Sequence, residues 1–350
     1  MADHSFGNIA FAILPQTAQG TINSTINGLT TSVNTAQGLV LGVGTTGDGD
    51  SGIDLPSHTR EGLALARIGK GRQADTFIRE AASGLKIAFP LGGARNTASN
   101  PTVDADFDLS QSGVFPGFDA ILKAVGLTGA AWGSGVGWEF KASGAVTYAS
   151  IAVWAGGFML KYLDVLVSKL TFKTPPGEIA TCEAEFVTPS VYGFGAQTLS
   201  TITQGNQATA CPVVQGVGFA YGGTRPFEAL EIELSPTTEE SPDSNASNGK
   251  RSRQTAFDVN AKGIIYAATA DADMERDTLI LTSAPTTNAT FQVGSATAAA
   301  GVANSYAFDL NNMTVRKTKM KKLGDYLGWE SELEGNCISS AGTEFTFRLL

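Results

Sequence analysis

The clearest pattern along the chain runs from Leu163 to Val187, where residues alternate with period two on both sides of Thr174-Pro175-Pro176-Gly177. Before the turn, Leu166, Leu170 and Phe172 alternate with Val167, Lys169, Thr171 and Lys173. After it, Ala180, Cys182, Ala184 and Phe186 alternate with Thr181, Glu183 and Glu185. Period two flanking a Pro-Gly turn predicts two antiparallel strands. Each would have an apolar face for a core and a polar face for water or a partner.

The same reading places further strands at Ile9–Leu14, Gly38–Val43, Phe77–Phe89 (as a pair broken at Gly84) and Thr343–Leu350, the last with Phe345, Phe347 and Leu349 aligned. Ala142 to Leu160 is uncharged, but its Gly, Ser, Thr and Tyr residues and its alternation favour strand over a membrane span. One helix is predicted, from Pro116 to Gly126: Pro suits a first turn, Phe118, Ile121, Leu122 and Val125 share a face, and Gly ends it. Trp132 and Trp138 fall in a Gly-rich connection, Phe186 to Thr224 reads as an uncharged joint, and Ser235 to Gln254 reads as an exposed loop, acidic first and basic last.

Composition narrows the function classes. Charged residues make up 16% of 350, below the usual quarter, while 41 Gly and abundant Thr and Ala suit β structure with many turns. The expected class is mainly β, a β-sandwich or α+β fold. A net charge of −9 argues against gripping nucleic acid and is compatible with a surface that lets it pass. Cys182, Cys211 and Cys337 form no CxxC pair or disulfide framework, so Cys182 is read as a buried free thiol and a reducing compartment is expected. Met1 to His4 has no basic start of a signal peptide. No cofactor is expected. His4 and His58, the only two His, leave little acid–base capacity for an enzyme.

Two motif-like stretches fail on spacing. Gly69-Lys70-Gly71-Arg72 lacks the frame of a phosphate loop. Asp104, Asp106 and Asp108 start like a calcium loop, but Leu109 and Phe115 stand where its Gly and Glu belong.

An internal repeat carries more weight than either. Ile53-Asp54-Leu55 recurs as Ile232-Glu233-Leu234, Gly69-Lys70 as Gly249-Lys250, Phe77 as Phe257 and Gly84–Ile87 as Gly263–Tyr266, always 179 or 180 positions apart. At a spacing of 147, Leu163 matches Leu310, Asp164 matches Asn311, Thr171 matches Thr318 and Gly177-Glu178 matches Gly324-Asp325. Glu183 and Glu185 then match Glu330 and Glu332. Two similar β units follow, residues 1–200 with the helix near 116–126, and residues 201–350.

Val167-Ser168-Lys169-Leu170-Thr171-Phe172, then Pro176-Gly177-Glu178-Ile179-Ala180-Thr181, resembles the late hairpin of tailed-phage tail tube proteins. Val153-Trp154 and Phe158-Met159-Leu160 resemble the strand entering it, and the two-copy layout resembles the subgroup with two fused tube folds. The second copy departs from the pattern, with Leu323-Gly324-Asp325-Tyr326 at its turn and five basic residues from Arg316 to Lys322. The resemblance implies a virion protein, assembled in the host bacterial cytoplasm, whose β domains contribute strands to a ring-shaped barrel. Stacked rings would form the conduit for DNA ejection. A trimer with pseudo-sixfold symmetry is favoured over a hexamer. Implied partners are further copies, the tape measure, terminator and distal tail proteins, and DNA that passes without specific binding, with no membrane. Glu183, Glu185, Glu330 and Glu332 are the candidate lumen residues, expected to contribute an acidic field. The competing class is a β-rich surface binding module, such as a fibre, decoration protein or adhesin.

Overall fold

Apolar alternation becomes strand throughout the computed structural model, which describes residues 9–34, 38–41, 58–66, 72–80, 83–91, 95–96, 107–108, 118–132, 137–142, 145–155, 157–188, 190–197, 201–203, 213–215, 219–221, 224–242, 250–266, 286–293, 306–335 and 344–349. Up to residue 196 the order is β1 (Ile9–Pro15), α1 (Ser24–Gly28), β2 (Ser32–Asn34), β3 (Gly38–Leu41), β4 (His58–Ala66), β5 (Arg72–Glu80), β6 (Ser83–Pro90), β7 (Arg95–Asn96), β8 (Phe107–Asp108), α2 (Phe118–Ala124), β9 (Leu127–Trp132), β10 (Gly137–Ala142), β11 (Ala149–Ala155), β12 (Phe158–Lys173), β13 (Thr181–Thr188) and β14 (Ser190–Ala196). Then come β15 (Thr201–Thr203), β16 (Phe219–Tyr221), β17 (Thr224–Arg225), β18 (Phe227–Pro242), β19 (Lys250–Tyr266), β20 (Thr286–Val293), β21 (Tyr306–Leu323), β22 (Tyr326–Gly335) and β23 (Phe345–Leu349). The fold is mainly β. Seventeen of these strands join in one antiparallel hydrogen-bonded network.

Two long strands organise that network, and each changes partners part-way. The first half of β12 pairs with β11 and β14, and its second half, from Leu166, pairs with β13 and β18. Likewise β21 begins between β20 and β23 and continues, from Met313, along β22. Each switch sits at a residue in left-handed backbone, Asp164 (φ 54) and Asn312 (φ 51). Asp and Asn are the non-glycine residues that tolerate this region best. A register shift follows in both, at Ser168 and at Arg316. Such a bulge bends a strand and re-aims it, so one continuous strand serves two sheets.

The connectivity recurs accordingly. Strands run β1-β11-β12-β14 in one group and β16-β20-β21-β23 in another. The latter continues through β10 and β9, which lie early in sequence. The second halves of β12 and β21 belong to a seven-strand run, β6-β13-β12-β18-β19-β22-β21. Between the layers lies one aromatic core. Phe172 of β12 lies 4.9 Å from Phe308 and 5.3 Å from Phe347, and Phe11 of β1 lies 5.6 Å from Phe186 of β13. Phe345, Phe347 and Leu349 are all buried, as their alignment predicts.

The helix is α2, and Phe118, Ile121, Leu122 and Val125 are buried against this core, as predicted. Asp119 and Lys123 form an i,i+4 ion pair at 2.8 Å. Gly126 closes it with φ 102, where a Cβ would also meet the Gln254 side chain at 2.9 Å. A second helix, α1, is not visible in the uncharged N-terminal stretch. Asn23 caps it, accepting from the Thr25 and Ile26 amides.

Several expectations are corrected. Gly84 lies inside β6, so it does not break a strand. Trp132 and Trp138 belong to paired strands β9 and β10 instead of a loose connection. Phe186–Thr224 contains β14, β15 and β16, so it is more than a joint. Ser235–Gln254 is for the most part no loop: β18 runs to Pro242 and β19 starts at Lys250, with Pro242 opposite Lys250. The basic end is held by packing, since Ser252 is buried and its carbonyl accepts from Tyr148 Oη at 3.1 Å. Ile53–Leu55, Gly69–Gly71, Asp104, Asp106, Cys211 and Cys337 lie outside the described residues.

Candidate functional site

The seven-strand run has two unlike faces because side chains alternate across each strand. Inward go Leu85, Ile87 and Phe89 of β6, Cys182, Ala184 and Phe186 of β13, Leu170 and Phe172 of β12, and Leu230, Ile232 and Leu234 of β18, all buried. Cys182 is a buried free thiol, and burial pushes its pKa well up, so it is inert packing.

The outward face is charged, and register orders it. Lys173, Glu231, Lys262, Glu332 and Lys317 stand directly opposite one another on consecutive strands, alternating in sign across five strands. A shorter row runs Lys86, Glu185, Lys169. Between these rows Glu183, Thr171, Glu233, Asn260 and Glu334 are aligned, acids alternating with neutral residues. Glu231, Glu233, Asn260, Lys262, Glu332 and Glu334 line an open groove of about 370 Å³.

The four candidate glutamates all sit on this face, and their neighbours are lysines. Glu183 is 2.6 Å from Lys173 and 3.8 Å from Lys86. Glu185 is 3.4 Å from Lys86. Glu330 is 3.0 Å from Lys262, which holds the Glu330 carboxyl below its ordinary value while the same hydrogen bond raises Lys262. Glu332 lies opposite Lys262 on one side and Lys317 on the other. Sequence reading missed Glu233, which holds two partners on this face. Lys169 Nζ lies 2.6 Å away and Ser235 donates at 2.6 Å. Burial alone would raise the Glu233 pKa, but these hydrogen bonds hold it lower, and Lys169 is raised in return. The signal available is period two in Glu231-Ile232-Glu233-Leu234.

The two hairpins on this face are structural equivalents. Glu185 lies opposite Lys86 and Lys169, and Glu332 lies opposite Lys262 and Lys317. Their turn glycines, Gly177 (φ 81) and Gly324 (φ 62), both use left-handed backbone. The first turn is braced: Gly177 N–H donates to the Val214 carbonyl and Val214 N–H to the Glu178 carbonyl, both at 2.8 Å. Tyr326 and Leu327, beside the second turn, are exposed.

Chemically, the surface is a set of carboxylates and ammonium groups within ion-pair distance of one another. Among the described residues no group of His, Cys, Asp or Glu is arranged to hold a metal, and no helix is long and apolar enough to cross a membrane. No protein-family model matches the chain, and no curated protein matches it.

Proposed function

We propose that this chain is a structural virion protein that polymerises as stacked rings to form a phage tail tube, the conduit for DNA ejection. The observation that carries the reading is the seven-strand amphipathic sheet built from two equivalent hairpins, apolar on the core side and charged on the other. Such a sheet ends in strands with unpaired backbone groups, and closing it into a ring with further copies removes those edges. Two tandem tube-like domains per chain give a trimer with pseudo-sixfold symmetry. The charged face then lines the lumen, and Glu183, Glu185, Glu330 and Glu332 belong to that lining.

The pairing geometry revises how such a lining treats DNA. A purely acidic wall would work by repulsion. Here lysines stand beside the glutamates, and a potential that alternates in sign from strand to strand cancels over a distance comparable with the strand spacing, about 4.8 Å. Passing DNA then meets a hydrated wall with little long-range pull. The tape measure, terminator and distal tail proteins would be its assembly partners.

Negative-stain electron microscopy of the purified chain tests the reading. Open tubes or stacked rings with a central hole are expected. Isolated knobs would overturn it in favour of a surface binding module.

A further inference from the structure

Within one chain the second group of strands covers the back of the first hairpin. Phe172 of β12 lies 4.9 Å from Phe308 of β21 and 6.3 Å from Phe345 of β23. Phe172 and Ala180 on the hairpin, and Tyr306 and Phe345 on the layer that covers it, are all fully buried. Each of these four residues has a counterpart in the other unit. The left-handed residues Asp164 and Asn312, with the bulges that follow them, set an offset of 148 along the two long strands. Met320 therefore takes the place of Phe172, and Phe158 that of Tyr306. Past the shorter second turn the offset is 147, and Leu327 takes the place of Ala180. On the neighbouring strands, Phe194 stands opposite Leu160 as Phe347 stands opposite Phe308. Tyr192 and Phe345 each come two residues earlier on those strands.

All four counterparts are exposed: Met320 60%, Leu327 43%, Phe158 38% and Tyr192 46%. Alternation fixes the way they face. Lys319 stands opposite Glu330 on the charged face, so Met320, the next residue, lies on the core side. Leu327 shares the parity of Leu333, which is buried. On β12, Leu160 and Tyr162 enter the main core, whereas Met159 joins Ala152 and Trp154 in a cluster on the opposite face. Phe158 has the parity of Leu160 and lies on the core side too. Exposed apolar side chains scattered singly are ordinary. These four are not scattered, because they repeat position by position a junction that the chain buries elsewhere.

We infer that the back of the second hairpin is covered by the first layer of a second copy, with Phe158 and Tyr192 packed over Met320 and Leu327. The junction inside the chain continues into the one between chains: same strands, same faces, the two units exchanged. The occupant is another copy of this chain because the chain itself carries both halves of the contact, one on each unit. A patch and its complement on different parts of one surface make a head-to-tail contact, which closes into a ring where the rotation allows. The inference rests on the ring reading and deepens it by naming the apolar faces through which neighbouring copies join.

The test is a cysteine pair, Tyr192→Cys with Met320→Cys, in the full chain. Mild oxidation of assembled protein is expected to give covalent multimers up to a trimer on a denaturing gel. A mixture of the two single variants is expected to give a covalent dimer and nothing larger, and neither single variant links alone. Linkage confined to monomers, or absent from protein that microscopy shows as tubes, overturns the inference and leaves the tube reading standing. Multimers that run past the trimer in protein without tubes keep the contact and overturn the tube reading. Met320→Glu guards against a cysteine pair that fails to assemble. Because Met320 is exposed in the single chain, the melting temperature of unassembled protein is expected to stay unchanged. The assembled fraction is expected to fall about tenfold, since the contact would bury an unpaired carboxylate. An assembled fraction equal to that of wild type counts against the contact.

Discussion

Asp164 and Glu139 concentrate the residue-scale constraints. Asp164 holds left-handed backbone, is buried, and accepts the Gly20 amide on Oδ1 at 2.7 Å. Replacing it by Ala removes the acceptor and strains the backbone, while Gly removes the acceptor only. Chemical denaturation should therefore rank wild type above Asp164→Gly and Asp164→Gly above Asp164→Ala, with steps on the order of 1–2 kcal/mol. Glu139 is buried between Lys141 and Arg348, whose Nε lies 2.8 Å from Oε2. Burial alone would raise its pKa, but the hydrogen bonds and charges of Lys141 and Arg348 hold it below the ordinary value. A lowered carboxylate pKa contributes stability that is complete above the unfolded value, about 4.3, and is lost as pH falls through the folded one. Melting temperature should decline on acidification below about pH 5, and Glu139→Gln should flatten that acid limb while lowering stability at neutral pH.

At the scale of elements, the hairpins were the most legible parts of the chain. Period two in Leu166–Phe172 and Ala180–Phe186, with Gly177 at the turn, specified strands, faces and register together. The equivalence with the second hairpin was visible too, but one step out on its first strand. Matching Asp164 to Asn311 is natural by identity of spacing, yet the left-handed residue is Asn312. The turn from Lys321 to Gly328 is one residue shorter than that from Lys173 to Thr181, so the offset is 148 before the turn and 147 after it. Composition misled at Ser235–Gln254. Its polar residues suit a solvated loop, but those of 235–242 and 250–254 lie on hairpin strands whose partners supply the missing hydrogen bonds. The Lys–Glu pattern could not be read at all without register, because it spans seven strands, most of them distant in sequence. Exposed cross-strand pairs contribute at most about 1 kcal/mol each, so their collective use is in the character of the surface. Glu183→Lys with Glu185→Lys places like charges beside Lys173, Lys86 and Lys169. The variant should fold with slightly reduced stability, and its assemblies should bind DNA in a pull-down that leaves wild-type assemblies unbound. Equal binding by both would remove the wall-charge argument.

For the whole molecule, the two layers share one core. Phe172 from the first half of the sequence packs on Phe308, Phe345 and Phe347 from the second, and β10 pairs with β23 across the same divide. The sequence repeat conveys the duplication but not this interlocking, which depends on β9 and β10 extending the later group of strands. The same duplication makes stoichiometry decisive. If each chain supplies two equivalent hairpins to a pseudo-sixfold ring, three chains close it. Native mass spectrometry of the smallest assembled ring tests this most directly. The account predicts a mass three times that of the 36.3 kDa chain. A ring of six chains, or a chain that stays monomeric at every concentration, would contradict it.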